Sequence, residues 1–478
     1  MTDLIDTAWF PRWFTPPSSP PHIVPVTRGQ DRVDLAFPTL GPVDLERACA
    51  GLRDAQRYLA GRPVRAIAET LDAAAAIWLD AMRPERIAAI HAISVVTGFS
   101  PAMVGHAIDL EQRSSRLPDL LGVLDRELGD HRALDGFVPV RGRESLRTTA
   151  VGPALVGGIF SANIPALPHL TVLRAFLVKS ACLGRVSRGE PIFLAAYART
   201  LAALDPDLAD CLFVTWWPPD DHATEAAFLN GVDHLIAYGG DVALAAIEGR
   251  APPGLPATWH GHRLGFAFIG KAALEPGPAL DALVRGLAYD VTVFDQHACL
   301  APQALYIETG GTVSPEALAV ALSAALLDAA RTLPVRHASA SDLAQRRSVY
   351  ETYRLRAALG EPIRDISPEW VASPQPPPWV ALLSAEALRP TPGDRTAWVV
   401  PVDGLDDAIA RLPPSGVLQC AAVAGLSDDD RLRLARRGVT RLCPPGLMGL
   451  PSMWWAHDGQ PCVSRLVRLC DEETSAPG

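Results

Sequence analysis

The chain has no Cys-x-x-Cys pair. Its eight cysteines stand at 49, 182, 211, 299, 420, 443, 462 and 470, scattered and without a histidine at zinc-finger spacing. No metal site is expected, and reduced thiols fit a cytoplasmic protein. Positive charge is also short: 43 Lys plus Arg against 53 Asp plus Glu leave a net charge of −10. A general nucleic-acid binder needs a basic face to neutralise phosphates, so that class is excluded. Lysine occurs only at Lys179 and Lys271, and arginine carries the remaining positive charge. The amino-terminal Met1-Thr-Asp-Leu-Ile-Asp6 has no basic segment leading into an apolar run, and so does not read as a secretory signal. The longest weakly charged stretch, residues 154–173, contains Asn163, Pro165, Pro168 and His169, a poor composition for crossing lipid. Internal repeats and coiled-coil heptads are absent.

What is present is apolar mass. Hydrophobic types form 49% of the 478 residues and charged types 20%, enough for sizeable cores in two or three domains. Residues 1–40 are rich in proline, serine and aromatics, and read as an extended arm. From Pro42 to about Leu128 the spacing is helical, as in Leu45, Cys49, Leu52 and Ile67, Leu71, Ala75, Leu79. Short strands are expected at residues 137–140 and 145–149. Apolar runs at residues 155–160, 182–186, 212–216, 234–238 and 264–269 then alternate with helix-like segments, the rhythm of βαβ units around a parallel sheet. Such a sheet binds ligands beyond the carboxyl ends of its strands. The fingerprint G-x-G-x-x-G is missing from these turns, so a dinucleotide fold here would not be the common kind. A second α/β region starts near Lys271, with helices at 278–289 and 315–331 and strands at 304–308, 379–383, 397–402 and 417–423. The loop at 372–378 punctuates it, and the polar tail from Asp471 is expected to be frayed.

Four segments carry potential chemistry. The run Tyr289-Asp-Val-Thr-Val-Phe-Asp-Gln-His-Ala-Cys-Leu-Ala-Pro-Gln303 holds Cys299 two residues after His297. A thiol becomes a nucleophile where local donors or positive charge favour thiolate, although free cysteines more often serve as small core residues. Gly157-Gly-Ile-Phe-Ser-Ala-Asn-Ile-Pro165 puts the Asn163 amide at a strand's carboxyl end, where it can donate to an oxyanion or simply satisfy a turn. Arg185, Ser187 and Arg188 follow the next strand and suit a ribose and a phosphate; an ordinary solvated loop would look similar. Gly239 and Gly240 open a helix and let a pyrophosphate approach the backbone.

Taken in order, these segments resemble the aldehyde dehydrogenase superfamily, and more closely the acyl-CoA reductase family typified by the fatty acid reductase of bacterial bioluminescence (LuxC). The resemblance spans roughly residues 135–465. It rests on Ser161-Ala-Asn-Ile-Pro165, Arg185-Val-Ser-Arg188, Val232-Asp-His-Leu-Ile-Ala-Tyr-Gly-Gly240, His260-Gly-His-Arg-Leu-Gly-Phe266, Phe294-Asp-Gln-His-Ala-Cys-Leu-Ala-Pro302 and His457-Asp-Gly459. It implies an α/β, aldehyde dehydrogenase-like fold: two Rossmann-like domains plus a small β element for oligomerisation. Residues 41–270 would bind cofactor, with the hairpin near 136–150 in the oligomerisation element. Residues 271–445 would be catalytic, and 446–478 a C-terminal segment with a disordered tail.

The resemblance further implies NADPH-dependent reduction of an acyl thioester, on CoA or a protein, to the aldehyde. Cys299 would be the acyl-accepting nucleophile, and Asn163 with the Cys299 N–H would form the oxyanion hole. Ser161 and Ala162 would lie at the cofactor, Arg185 at the adenosine ribose, Ser187 and Arg188 near a 2′-phosphate, and Gly239 and Gly240 at the pyrophosphate. A homo-oligomer and an acyl-protein synthetase partner would also follow.

Two positions depart from the family's pattern. His297 stands where relatives often have a second glutamine, and Ala301 where they often have serine; His297 either tunes Cys299 or protonates the product, or it packs without a catalytic role. Oxidising aldehyde dehydrogenases carry a glutamate that activates water, but the matching stretch here, Trp259-His-Gly-His-Arg263, has no carboxylate. That favours reduction over aldehyde oxidation. A Cys/His acyltransferase or thioesterase is a further alternative, and a catalytically dead scaffold of this fold another, opposed by the presence of both Asn163 and Cys299.

Overall fold

A computed structural model describes residues 3–368, 378–383 and 385–473. The chain forms two compact units. The first comprises residues up to Thr97, Val104–Gly261 and the return from Ser452; the second comprises Gly98–Met103 and His262–Pro451. The α/β expectation holds in both.

The first unit contains a helical layer and a five-stranded parallel sheet. The helical spacing seen from Pro42 onward becomes Pro42–Ala60, Val64–Leu79, Pro84–Thr97, Pro101–Arg113 and Leu117–Leu128. Val64–Leu79 shows why: Val64, Ile67, Ala68, Leu71, Ala74, Ala75 and Trp78 fall on one face and are all buried. The sheet runs in the order Ala257–His260, His234–Tyr238, Leu155–Ile159, Ala181–Arg185, Leu212–Thr215. Its first strand in sequence, Leu155–Ile159, lies centrally, and the chain builds outward from it first to one side and then to the other. The connection therefore reverses between Leu155–Ile159 and His234–Tyr238, and a crevice for ligand opens at their carboxyl ends. Gly157 lets this strand pack closely, since a Cβ there would stand 2.7 Å from the Phe228 ring.

The second unit is built on a seven-stranded sheet. Its order is Ile363–Asp365, Trp379–Leu383, Thr396–Val402, Pro302–Glu308, Leu264–Ile269, Leu418–Ala424, Arg441–Cys443. Ile363–Asp365 is antiparallel and the remaining pairings are parallel. Phe266, Phe268, Tyr306, Tyr353, Trp379 and Trp398 dominate its core.

Several expectations need correction. The supposed extended arm contains a sheet, with Asp3–Asp6 and His22–Arg28 flanking Asp31–Phe37. Gly29, at φ +62°, makes the tight hairpin turn, and Val33, Leu35 and Phe37 alternate into the core. Phe10 and Phe14 of the same region pack on Phe213 at 5.0 and 4.9 Å. Strand Leu264–Ile269 belongs to the second unit, so the first ends at Gly261 and not near 270.

The C-terminal segment is also not a separate piece. Residues from Ser452 rejoin the first unit, and Arg468–Glu473 pairs antiparallel with Arg143–Val151, so residues 471–473 are a strand and not a frayed tail. Residues 474–478 and 372–377 lie outside the described residues. The expected hairpin forms as Val138–Val140 with Arg143–Val151, completing a three-stranded sheet. Among the described residues, no single helix is long and apolar enough to cross a membrane.

Candidate functional site

In the first unit, the expected cofactor residues gather at the carboxyl edge of the five-stranded sheet. Asn163 follows the central strand by four residues and is half-buried. Ser161 Oγ donates to Asn163 Oδ1 at 2.6 Å, which turns the amide oxygen toward Ser161 and the NH2 the other way. Ala162 lies between them. Gly240 caps the helix Asp241–Glu248 with φ −70°, and a Cβ built on it would meet nothing within 4 Å. Neither Gly240 nor Gly239 is forced by sterics, so space stands open in front of free helix N–H groups.

A cleft of about 390 Å³ lies beside this edge, lined by Ile159, Arg185, Trp217, Glu225, Ile247 and Arg250 among others. Arg185 places its guanidinium 5.3 Å from the Trp217 ring centre and donates to the Trp217 carbonyl at 3.0 Å. Burial pushes the Arg185 pKa down, and Glu225 opposes that shift. Glu225 is buried and accepts from Arg250 Nη2 at 2.9 and 3.0 Å. The cleft thus offers an apolar slot with a cation at its rim, suited to a nucleobase and its sugar. Past the strand, Ser187 Oγ accepts from the Gly189 N–H at 3.3 Å, while Arg188 is exposed at the tip of the turn. Trp217, Glu225 and Arg250 had no local signature in sequence; only position in the fold reveals them.

A four-ring ladder stands at the same edge of the sheet. Tyr238 stacks on His260 (4.6 Å), His260 on His457 (4.1 Å, 19° between planes), and His457 on Trp455 (4.7 Å). Asp458 Oδ2 takes a hydrogen bond from His260 Nδ1 at 2.8 Å. Residues 259–263, which lack a carboxylate of their own, therefore receive one from the C-terminal return.

In the second unit, Cys299 lies on the turn leading into strand Pro302–Glu308 and is half-buried. Cys49, Cys182 and Cys211 are buried, and burial pushes each up to about 12. Buried Cys420 and Cys443 face each other at 3.8 Å. Of the eight thiols, Cys299 and Cys462 are half-buried, Cys470 is exposed and the other five are buried.

The turn before Cys299 is held in an unusual backbone. Phe294, Asp295 and Gln296 have φ of 54°, 47° and 67°, and Asp394 and Arg395 have 49° and 62°. Left-handed non-glycine residues carry strain and persist only where their surroundings fix them. Here Asp295 Oδ1 takes Arg395 Nε at 2.6 Å, with neither side chain exposed, and Asp295 Oδ2 takes the Arg336 N–H at 3.1 Å. Gln296 donates to the carbonyls of Pro302 (2.6 Å) and Thr396 (2.7 Å) and accepts from the Thr396 N–H (2.8 Å). His297 Nε2 lies 3.2 Å from Asp394 Oδ1, which Arg336 Nε also reaches at 2.7 Å. Burial pushes Asp394 up, but the hydrogen bonds from His297 and Arg336 outweigh it and hold the carboxylate below its usual range. Asp394, Arg395 and Arg336 escaped the sequence reading, and a Pro-Gly-Asp-Arg turn at 392–395 was their sole trace.

The family model described as acyl-CoA reductase (LuxC) matches residues 59–469. Long-chain acyl-protein thioester reductase 2 of Photobacterium leiognathi is 23% identical over 364 residues, 74% of this chain and 70% of that protein. The long-chain acyl-protein thioester reductase of Vibrio harveyi is 23% identical over 406 residues, 83% of this chain and 80% of its own. Among solved structures, a putative aldehyde dehydrogenase from Burkholderia cenocepacia aligns with TM-score 0.72 at 17% identity, covering 98% of this chain and 100% of the other. The NAD-dependent aldehyde dehydrogenase of Sinorhizobium meliloti gives 0.72 at 15% identity, covering 100% and 96%. The fold is aldehyde dehydrogenase-like.

Proposed function

We propose, because this chain belongs to the acyl-CoA reductase (LuxC) family, that it reduces a long-chain acyl thioester to the aldehyde with NADPH, through an acyl group held on Cys299. The enzyme is an oxidoreductase of that family; the cofactor's phosphate, the covalent intermediate and the residue roles are our reading. What carries the reading is Cys299 itself, a half-buried thiol three residues past a left-handed turn clamped by buried charge.

Cys299 attacks the thioester carbonyl and the thiol departs. The Asn163 amide donates to the oxyanion, a contribution of about 3 kcal/mol when such a donor is removed. A nicotinamide cofactor fits the residues present: the cleft over Arg185 and Trp217 takes an adenosine, and the open space at Gly239 and Gly240 admits a pyrophosphate. Ser161 and Ala162, which follow the central strand just before Asn163, complete the cofactor side of this reading. When bound, the cofactor supplies the hydride. Arg188 and Ser187 favour a 2′-phosphate and hence NADPH. Residues 259–263 offer no carboxylate from their own strand, which favours an acyl-enzyme that awaits hydride over one that water hydrolyses. His297, turned to Asp394, keeps a role in tuning the thiol within this proposal.

A cytoplasmic location fits the reading, as does acyl delivery on CoA or by an acyl-protein synthetase. So does a homo-oligomer formed through the three-stranded sheet, whose edge strand Arg468–Glu473 is exposed along its length.

The deciding experiment is covalent labelling. Cys299→Ala should abolish both aldehyde formation and labelling by radioactive acyl-CoA. Labelling that persists on another cysteine would move the nucleophile, and wild-type turnover to free acid at the rate of aldehyde formation would make thioesterase the better name.

A further inference from the structure

The cleft beside the five-stranded sheet has mostly apolar walls, yet a buried carboxylate stands among them: Glu225, paired with Arg250. Resting on the reading above, which gives this cleft an adenosine, we propose that the pair reads the purine edge of the cofactor. Glu225 accepts from the 6-amino group of adenine, and Arg250 donates to a ring nitrogen beside it.

The fold sets which end of the ligand reaches the pair. Ile159 and Arg185 end neighbouring strands in register with each other, and Ile159 is also in register with Ala237, two residues before Gly239. The sugar and phosphates belong at this strand end. Helix Asp241–Glu248 begins at the glycine turn, and Ala243, Ala246, Ile247 and Arg250 line the cleft from it. The Arg250 N–H donates to the Ile247 carbonyl at 3.0 Å, so the turn continues past the helix end. The spacing i, i+3, i+4 and i+7 marks one helix face. At about 1.5 Å per residue, that face extends roughly 10 Å away from the phosphates. A ribose and then a purine fill such a length, and the base edge arrives at Arg250 and Glu225.

The chemistry of the pair suits adenine. Glu225 lies on the first turn of His222–Gly231, and its side chain is 7% exposed against 36% for Arg250. Both carboxylate oxygens accept from one nitrogen, Arg250 Nη2, at 2.9 and 3.0 Å. An ionised carboxylate accepts about four hydrogen bonds and a guanidinium offers five donors, so each keeps capacity for a ligand. His222 Nδ1, 3.8 Å from Glu225 Oε2, stands beyond hydrogen-bond reach. An acceptor beside a donor complements the 6-amino group of adenine and its N1 or N7. Hypoxanthine, with a carbonyl in place of the amino group, would set oxygen against the carboxylate.

Packing alone does not account for the pair, because a buried ion pair adds little stability over an apolar filling of the same volume. Nor does the ribose. In doubly wound folds an acid commonly takes the ribose 2′-hydroxyl, but Glu225 lies at the far end of the cleft from the strand ends and is neutralised by Arg250. Arg185, over the Trp217 ring and bonded to its carbonyl, is a separate cation at the sugar end.

The test changes one position of the purine. Calorimetry compares NADPH with reduced nicotinamide hypoxanthine dinucleotide phosphate, which carries a carbonyl at the purine 6-position. Wild-type protein should bind NADPH about tenfold tighter or more, the scale of a base edge read by two hydrogen bonds. In Glu225→Gln the two should bind within about threefold of each other, with NADPH still bound, because an amide offers either its oxygen to the amino group or its NH2 to the carbonyl. Equal affinities in wild type, or an undiminished preference in Glu225→Gln, would overturn the assignment. A Glu225→Gln protein that keeps the base preference and shifts the ratio of NADPH to NADH affinity would put the ribose at Glu225, and would overturn it as well. Wild-type protein that binds neither nucleotide would instead overturn the cofactor reading on which the proposal rests.

Discussion

The glycine turn at 239–240 and the turn at 294–296 both precede residues assigned to chemistry, yet they are built on opposite principles. At Gly239 and Gly240 the backbone is relaxed, φ at Gly240 is an ordinary −70°, and no side chain crowds the space. At Phe294, Asp295 and Gln296 three successive residues sit in left-handed conformations, pinned by partners some hundred positions away. A turn that must receive a ligand is left empty. A turn that must aim a nucleophile is overdetermined. If this contrast is right, substitutions in the second should cost stability first, and substitutions in the first should cost affinity while sparing the fold.

The largest effect is expected at Arg395. Replacing it with methionine leaves Asp295 buried without its ion-pair partner, and breaking such a pair typically costs 3–5 kcal/mol. Urea denaturation should show a loss of that size, together with loss of acylation at Cys299. A variant as stable as wild type would mean that the left-handed turn holds itself, and the contrast would fail.

Next in size is Arg188, the exposed cation assigned to the 2′-phosphate. Arg188→Ala should leave stability untouched and weaken NADPH binding by about 1.5–3 kcal/mol, roughly 10–150-fold, with NADH unaffected. Calorimetry with both cofactors decides the matter. Equal losses for the two would remove the phosphate assignment.

Much of this was legible in the sequence, and the failures have physical causes. Buried parallel strands such as Leu155–Ile159 and Leu212–Thr215 announce themselves as short apolar runs. Leu264–Ile269 was equally visible as a strand, but an apolar run does not say which sheet it joins. The edge strand Ala257–His260 went unseen because none of its residues is fully buried, so its pattern carries little hydrophobic signal. Helix Ala340–Ala358 went unseen for the same reason, since Arg346 and Tyr353 are its sole fully buried residues. At the site, Asn163, the glycine pair and Cys299 were readable because each sits in a local motif. Arg395, Asp394 and Asp458 were not, because they act by folding back on residues 100, 97 and 198 positions away.

A smaller effect is expected from Asp394, and it depends on pH. His297 and Arg336 hold its carboxylate below the usual range, so the folded state favours the ionised form more than the unfolded chain does. The stability this confers is complete above the ordinary carboxylate pKa, and it disappears as pH falls through the lower folded-state value. At neutral pH, Asp394→Asn should cost roughly 1.5 kcal/mol, the scale of a hydrogen bond to a charged group. Denaturation midpoints of the two proteins should then converge as the pH is lowered through the acid range. A gap that stays constant down to pH 2 would show that Asp394 is not the titrating support of the turn.

The smallest effect belongs to Gly240. Its backbone is one that alanine adopts freely, and a Cβ there would touch nothing within 4 Å. Gly240→Ala should therefore shift stability by no more than about 0.5 kcal/mol, within the range of substitutions that meet no obstacle. Cofactor binding should respond differently. A methyl group in the space assigned to the pyrophosphate removes one close backbone approach, worth about 1 kcal/mol or roughly fivefold in Kd. Because the same loss should appear with NADPH and NADH, this variant is distinguishable from Arg188→Ala, which discriminates between them. Unchanged affinity for both cofactors would mean that the emptiness in front of Gly240 is not kept for a ligand. The contrast between an open turn and a clamped one would then reduce to a difference in backbone strain alone.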